Sequence, residues 1–524
     1  MKFRLIGALL VGLVMVAWLG TPTQAGTKFE LVAIGTFDSG VGEDGAEISK
    51  YDGWTRQIFV TNGAEDRIDV LDVRNPADMK LVRSIDLTAF GPSITSVDVI
   101  KGLGVATVVG SPATEPGTAV FFSPTTGQVL FSRQVGSLPD MVTFAGNGSA
   151  VLVANEGEPR CIDASGDVVT DPTEAVNPQG SVSIIRIVDG VPGEATNVGF
   201  TSLDSATAAL QADGVRVPIW PGATPSQDFE PEFITVSGRY AYVTLQEANS
   251  VAIIDWRAAE LVGVKGLGLK SWTNSWIGFD ASDKDEAYNT KIWPVQNMYM
   301  PDGIASMNVG GKTYLVTANE GDGVEYFAGP VSDDDEQDLC YTDETRVKDL
   351  ELDPSVFPEG LGDSDQLGRL KVTSSYPSVT GENGYTKLAA YGGRSFTIWD
   401  TSGKVVFDSG SGLEAIIRAS ISEEDWLEDH DGRSDDKGPE PEGVAVGAPY
   451  GVPTIFVGLE RSGGVMVFDA SDPASPEFVQ WARTADVSPE GLQYVPAYAS
   501  VTGKPLLIVS HEISGTTTVF EIRR

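Results

Sequence analysis

Imidazole and thiol are almost missing from this chain of 524 residues, which has two histidines, His430 and His511, and two cysteines, Cys161 and Cys340. A metal site built from several imidazoles or thiolates, as zinc usually prefers, cannot be assembled from them. Any metal held here must be met by oxygen. Bases are scarce too: 36 Lys and Arg stand against 74 Asp and Glu, a formal net charge of −38. That balance argues against nucleic acid and anionic membrane as partners, since both recruit Lys and Arg, and it favours cations. Beyond residue 25 no apolar run reaches the roughly 20 residues a spanning helix needs, so no membrane span is expected. There is no Walker loop, no Gly-x-Ser-x-Gly elbow and no His-Glu-x-x-His, which removes the familiar nucleotide, serine-hydrolase and zinc-protease signatures.

At the N-terminus Lys2 and Arg4 precede an apolar run over residues 5–19, and Thr23-Gln24-Ala25 offers a small-residue cleavage site before Gly26. This is the order of a secretory signal peptide. Residues 1–25 are therefore set apart, and 26–524 are read as one exported, soluble domain, periplasmic or extracellular, with no anchor following Arg524.

Clusters of Val, Ile and Thr punctuated by 59 glycines and 30 prolines indicate many short strands rather than helices. A unit recurs. Its clearest copy is PEGVAV (441–446), TIFVGLE (454–460) and GVMVFD (464–469), a turn followed by three strands. The same grammar returns at Pro489-Glu490, Pro231-Glu232, Pro139-Asp140 and Pro301-Asp302, and two degenerate copies open the chain at 46–73 and 95–123. Seven short-stranded repeats spaced by roughly 50 residues are the signature of propeller blades. The expected fold is an all-β, seven-bladed β-propeller, with a sandwich pair or a solenoid as the competing architectures. The last unit has only three strands, and FELVAIGT (29–36) has no unit of its own. That N-terminal strand is expected to complete the last blade and remove the free edge. Insertions of about 157–179 and 321–387 occupy the same slot, between second and third strands, and so emerge on one face. Each carries one cysteine, and in an oxidising compartment a Cys161–Cys340 disulfide is expected, against two unpaired thiols.

Antiparallel pairing sets the start of a first strand beside the end of the second. The acids then pair as Asp140 with Glu156 and Glu158, Glu232 with Glu247, Asp302 with Glu320 and Asp322, Glu442 with Glu460, and Glu490 with Glu512, all on one face; Glu47 is a weaker sixth member opposite Asn62. So many carboxylates repel one another unless some protonate or a cation neutralises them. Oxygen-only donors suit Ca²⁺. The competing structural explanation is that these acids cap turns and pair with Arg160, Arg394, Arg461 or Lys437. No complete calcium loop is present, and Asp283-Lys284-Asp285 is a fragment of one. In Asp429-His430-Asp431 the lone histidine is expected to face solvent; His511 precedes rim residue Glu512.

The segments PDMVTF, VLVANEGEPR, AYVTLQEANSVAIID, YLVTANEGD, YGGRSFTIWD, DDKGPEPEGV and FVGLERSGGVMVFD resemble the choice-of-anchor I family, over nearly all of residues 29–522. That family includes bacterial proteins carrying the name alkaline phosphatase and mesenchyme-specific cell surface glycoproteins linked to calcified skeletons. The resemblance implies an extracellular propeller. Two functions follow as expectations. In one, the acidic face binds calcium or a cationic or mineral partner without turnover. In the other it is a calcium-dependent phosphoesterase, a metal-dependent phosphoric ester hydrolase in which Arg160, Arg394 or Arg461 clamps the phosphate of a small molecule.

Overall fold

The computed structural model describes residues 29–163, 165, 167–169, 171–272, 278–327 and 339–524. The leader read at 1–25 and the acidic run 333–336 lie outside the described residues. Among the described residues, seven four-stranded sheets follow one another along the chain, each antiparallel throughout. Four of their second strands, Gln57–Asn62, Ala150–Asn155, Thr454–Leu459 and Leu506–His511, are buried at every position, and the other three are buried along all but their first residues, which is why they read as runs of apolar and small residues. The fourth strands, such as Val129–Ser137 and Glu260–Gly266, lie partly open to solvent.

The leading strands are Ser49–Asp52, Ile94–Ile100, Pro139–Ala145, Pro231–Ser237, Ile304–Val309, Pro441–Gly447 and Pro489–Val495. Each touches the next, and the seventh touches the first. Aromatic rings fill the spaces between neighbouring sheets: Phe59 meets Phe122 with ring centroids 5.7 Å apart, and Phe396 meets Phe468 at 4.6 Å. The N-terminal strand Glu30–Asp38 pairs antiparallel with Thr516–Arg523, from Glu30 opposite Arg523 to Asp38 opposite Thr516. The last sheet thus draws its fourth strand from the other end of the chain, as expected.

The two insertions leave the third and fifth sheets between second and third strands, and Cys161 and Cys340 join them in a disulfide with Cα atoms 6.2 Å apart. Gly321 opens the second insertion at φ +96°, and a Cβ there would sit 2.0 Å from the backbone of Gly392. Only glycine allows the two ends of that insertion to approach so closely. The insertion is a folded cap. With the unforeseen segment 267–300 it forms a five-stranded sheet (Leu269–Ser271, Gln296–Met298, Ala389–Ala390, Lys371–Thr373, Glu344–Arg346) over a core of Trp272, Phe279, Trp293, Leu367 and Val372.

A second unforeseen segment, 409–440, is helical where the repeats predict only strands. Helix Gly412–Ser420 and helix Glu423–Asp429 bury Leu413, Ile417 and Trp426 against the fifth and sixth sheets. Ser422 starts the second helix with a reciprocal cap, its Oγ accepting the Asp425 amide while its own amide reaches the Asp425 carboxylate. No described helix is long and apolar enough to cross a membrane.

A carboxylate-lined candidate site

One local device repeats at the start of the sheets. Pairing slips between Pro139 and Val142, Pro231 and Ile234, Pro441 and Val444, and Pro489 and Leu492. Each slip is a bulge, and bulges re-aim side chains. The acid two residues before the resumed pairing is Asp140, Glu232, Glu442 or Glu490; Asp302 and Glu47 hold the same register in their sheets, and Thr95 holds it in the second. The residue before the proline is left-handed in four sheets: Leu138, Met300, Glu440 and Ser488, with φ from +44° to +58°. The carbonyls of Leu138, Glu440 and Ser488 accept the amides of Glu156, Glu460 and Glu512. The turn therefore fixes both acids of a pair side by side, at the cost of an unfavourable backbone conformation.

The acids converge on two adjoining cavities. The first, about 380 Å³, is lined by eleven acids and two bases; it takes Asp140, Glu156, Glu232, Asp302, Glu320, Asp322, Glu442, Glu460, Glu490 and Glu512 together with Glu43, Lys437 and Arg461. The second, about 440 Å³, shares Glu156, Glu232 and Asp322 with it and adds Glu158, Glu247, Glu230 and Glu344. Glu247 is one step out of register. The position after the second strand, Glu156 or Glu320 elsewhere, is Gln246 in the fourth sheet, where its Nε2 donates to Glu320 Oε2 at 2.9 Å. Sequence pattern preferred the nearest acid and so missed Gln246.

Burial, and then mutual repulsion, pushes these carboxyls up. Asp140 rises to about 7 from burial, and Glu460 to about 8 from burial with Glu320 and Glu440 beside it. Glu247 reaches about 8, also led by burial. Glu232, Asp302, Glu442 and Glu490 lie well above the carboxylate range, led by burial and then by the charges of Glu247, Glu320, Glu460 and Glu512 respectively. Glu232, Glu247, Glu442 and Glu490 each keep a buried Oε2 with no hydrogen-bond partner. Such oxygens are costly unless a proton or a cation meets them.

The bases serve the opposite side. Lys437, from segment 409–440, donates to Glu320 at 3.0 Å and Asp322 at 2.8 Å, and stands 3.6 Å from Glu440. Burial works against Asp322, but Lys437 outweighs it and holds that carboxyl below its ordinary range. Fully buried Glu440 accepts both arms of Arg433, at 2.6 and 2.9 Å. Carboxylate oxygens of Glu320, Glu440 and Glu460 lie within 4.8 Å of one another, yet protein cations already neutralise this trio. The uncompensated oxygens belong to Glu232, Glu247, Glu442 and Glu490.

The three arginines expected at a phosphate are all engaged. Arg160 pairs with Glu158 at 2.9 Å and lines neither cavity, whereas Arg461 pairs with Glu460 at 3.0 Å on the wall of the first. Arg394 lines neither cavity: it is 1 % exposed and donates to the carbonyls of Asp280, Ser434 and Asp436. Its sequence position promised a site residue, whereas it is buried as the support of segment 409–440. His430 is buried against the Trp426 ring rather than solvent-facing, because the helix before it turns it inward. His511 is also buried, its Nδ1 3.3 Å from Thr516 Oγ1, and lines neither cavity.

Residues 47–473 match the choice-of-anchor I domain. The chain belongs to the choice-of-anchor I family. Among curated relatives, this choice-of-anchor I protein is 28 % identical to Gigasin-3a of Magallana gigas over 202 residues, 32 % of this chain and 68 % of that one. It is 26 % identical over 285 residues to a mesenchyme-specific cell surface glycoprotein of Strongylocentrotus purpuratus, 47 % of this chain and 36 % of that one. The match thus spans about a third of the sea-urchin protein. Among solved structures, hydrazine synthase of Kuenenia stuttgartiensis covers 91 % of this chain and 96 % of its own at 12 % identity with a TM-score of 0.46. The computationally designed Ika8 protein covers 93 % and 99 % at 9 % identity, with a TM-score of 0.40.

Proposed function

We propose that this choice-of-anchor I protein is an exported seven-bladed β-propeller that binds calcium, as an ion or at the surface of a cationic or mineral partner, through the carboxylates gathered at the start of its leading strands. The observation that carries the reading is the set of buried, unpartnered oxygens on Glu232, Glu247, Glu442 and Glu490. Oxygen donors in a flexible cluster fit Ca²⁺, which takes 6 to 8 of them. The seven sheets, the unbroken contact of their leading strands and the shared last sheet support the propeller. The disulfide supports an oxidising compartment. The second reading, a calcium-dependent phosphoesterase, has less support, since each of the three arginines it calls on already serves a carboxylate or a backbone carbonyl.

Calcium titration by calorimetry and by melting of chelator-stripped protein tests the proposal. A ligand bound only by the native state adds about 2.7 kcal/mol at a hundredfold excess over Kd, so melting is expected to rise with calcium. Asp302→Asn with Glu442→Gln is expected to shrink the rise. An equal rise in that variant would refute calcium binding at these carboxylates. Hydrolysis of a phosphate ester that depends on calcium would move the conclusion to the second reading.

A further inference from the structure

Among the described residues, buried carboxylate oxygens without a partner occur around the two cavities and in one other place. There, Asp280 Oδ1, Asp285 Oδ1, Glu414 Oε2 and Asp431 Oδ1 are all unpartnered. Asp280 is 1 % exposed, Glu414 2 % and Asp431 5 %. They come from the loop after Phe279, helix Gly412–Ser420 and the turn Asp431–Arg433.

Asp280, Asp285 and Glu414 are each held by one carboxylate oxygen and left open at the other. The Asn289 amide donates to Asp280 Oδ2 at 3.2 Å, and its side-chain Nδ2 donates to Asp285 Oδ2 at 2.9 Å. The Asp280 amide donates to Glu414 Oε1 at 3.1 Å. The negative charges of Glu414 and Asp285 both act on Asp280, and that of Asp285 acts on Asp431. The compensating cation is Arg394, whose Nε stands 3.7 Å from Glu414 Oε2, too far to hydrogen-bond. Asp283, by contrast, is satisfied by Arg369 and Lys284. Lys270 also acts on Glu414 but is itself paired with Asp408 at 2.9 Å, so three half-bonded carboxylates against one distant guanidinium and one shared ammonium leave a charge deficit in a buried place.

We infer that Asp280, Asp285 and Glu414 form a second divalent-cation site, calcium by its all-oxygen donors, separate from the two cavities. Asp431 closes its outer side. Bound there, the ion ties the loop after Phe279 to the segment that carries Arg433, Lys437 and Glu440 to the cavities. The three oxygens are not all within 4.8 Å of one another, so a shared ion requires the Asp285 loop to move inward.

Terbium luminescence excited at tryptophan and tyrosine reads this site, and because Tyr326 lines the second cavity the variants are compared in a Tyr326→Phe background, which removes that cavity's own phenol. Tyr288 lies beside Asp280 and Glu414, and its ring stacks edge-on against Trp426 with centroids 4.7 Å apart. The Tyr326→Phe protein is expected to sensitise terbium and to lose the emission when calcium is added. Asp302→Asn with Glu442→Gln is expected to keep the emission. Asp280→Asn with Glu414→Gln is expected to lose most of it, and Asp285→Asn, on the loop surface, to lose it partly even where the double variant folds poorly. Emission that survives Asp285→Asn undiminished would overturn the inference, as would emission abolished by the cavity variant alone. A shared proton in place of a metal would show as an Asp280→Asn protein that melts higher than wild type without metal and binds terbium equally, and it would overturn it too.

Discussion

Arg394 and Glu440 are the two side chains on which segment 409–440 turns, and both are buried charges. Glu440 is fully enclosed and meets Arg433, Lys437 and Arg461. Removing its charge takes the bidentate partner from Arg433, while Lys437 and Arg461 keep Glu320, Asp322 and Glu460; breaking a buried pair costs about 3 kcal/mol, and somewhat less here, because Arg433 is one-third exposed. Glu440→Gln is therefore expected to lose about 2–3 kcal/mol of stability, read as a lower urea midpoint. Arg394→Met is expected to cost about 3–5 kcal/mol, since the carbonyls of Asp280, Ser434 and Asp436 lose their donor. Because Arg394 lines neither cavity, calcium should still raise the melting of that variant. A phosphate-clamping role would instead leave stability intact and abolish substrate binding. The sequence made Asp140, Glu232 and Glu490 legible because each follows a proline at a fixed interval from an apolar run. Glu440 and Gln246 carried no such mark: one precedes the proline in a left-handed turn, and the other is uncharged.

Strands announced themselves according to how fully they are buried. The leading, second and third strands of each sheet gave runs such as VLVAN and MVFD, whereas the half-exposed fourth strands, Val191–Gly199 among them, carried too many polar residues to stand out. The helices of 409–440 broke the repeat and so were missed, although Ser422 and Asp425 spell a cap. The insertions were legible in position but not in architecture, because their sheet is assembled from five short strands far apart in sequence. Their disulfide closes a loop of 179 residues. A cross-link of that span restricts the unfolded chain by about 4–5 kcal/mol in the loop-entropy view. Replacing both cysteines by serine is expected to lower stability by roughly 2–5 kcal/mol, and reductant should then cease to affect melting. Because Tyr326 in the tied insertion donates to Glu230 at 2.8 Å, the same variant is expected to weaken cation binding at the second cavity more than at the first.

At the scale of the whole molecule, the acids make stability depend on pH in an unusual direction. Asp140, Glu247 and Glu460 are raised to about 7, 8 and 8 when folded, against about 4 in the unfolded chain. A raised pKa means that the folded state holds the proton more tightly, so this contribution is complete below about pH 4 and is lost as pH rises through 7 to 8. Chelator-stripped protein is expected to melt progressively lower from pH 5 to pH 9. Calcium competes with those protons, so the rise it gives should grow over the same interval. A calcium effect independent of pH would contradict the shared carboxylates. The strand Glu30–Asp38 adds a consequence in time rather than in space. Its partner, Thr516–Arg523, comes after all the other sheets in the sequence, so the first strand waits until they have been made. Loop closure over that distance is slow and entropically costly. Until it happens, the seventh sheet keeps an open edge able to capture another chain. A concentration-dependent loss of yield on refolding, relieved by supplying residues 29–38 as a peptide to a chain that lacks them, is the kinetic mark this closure should leave.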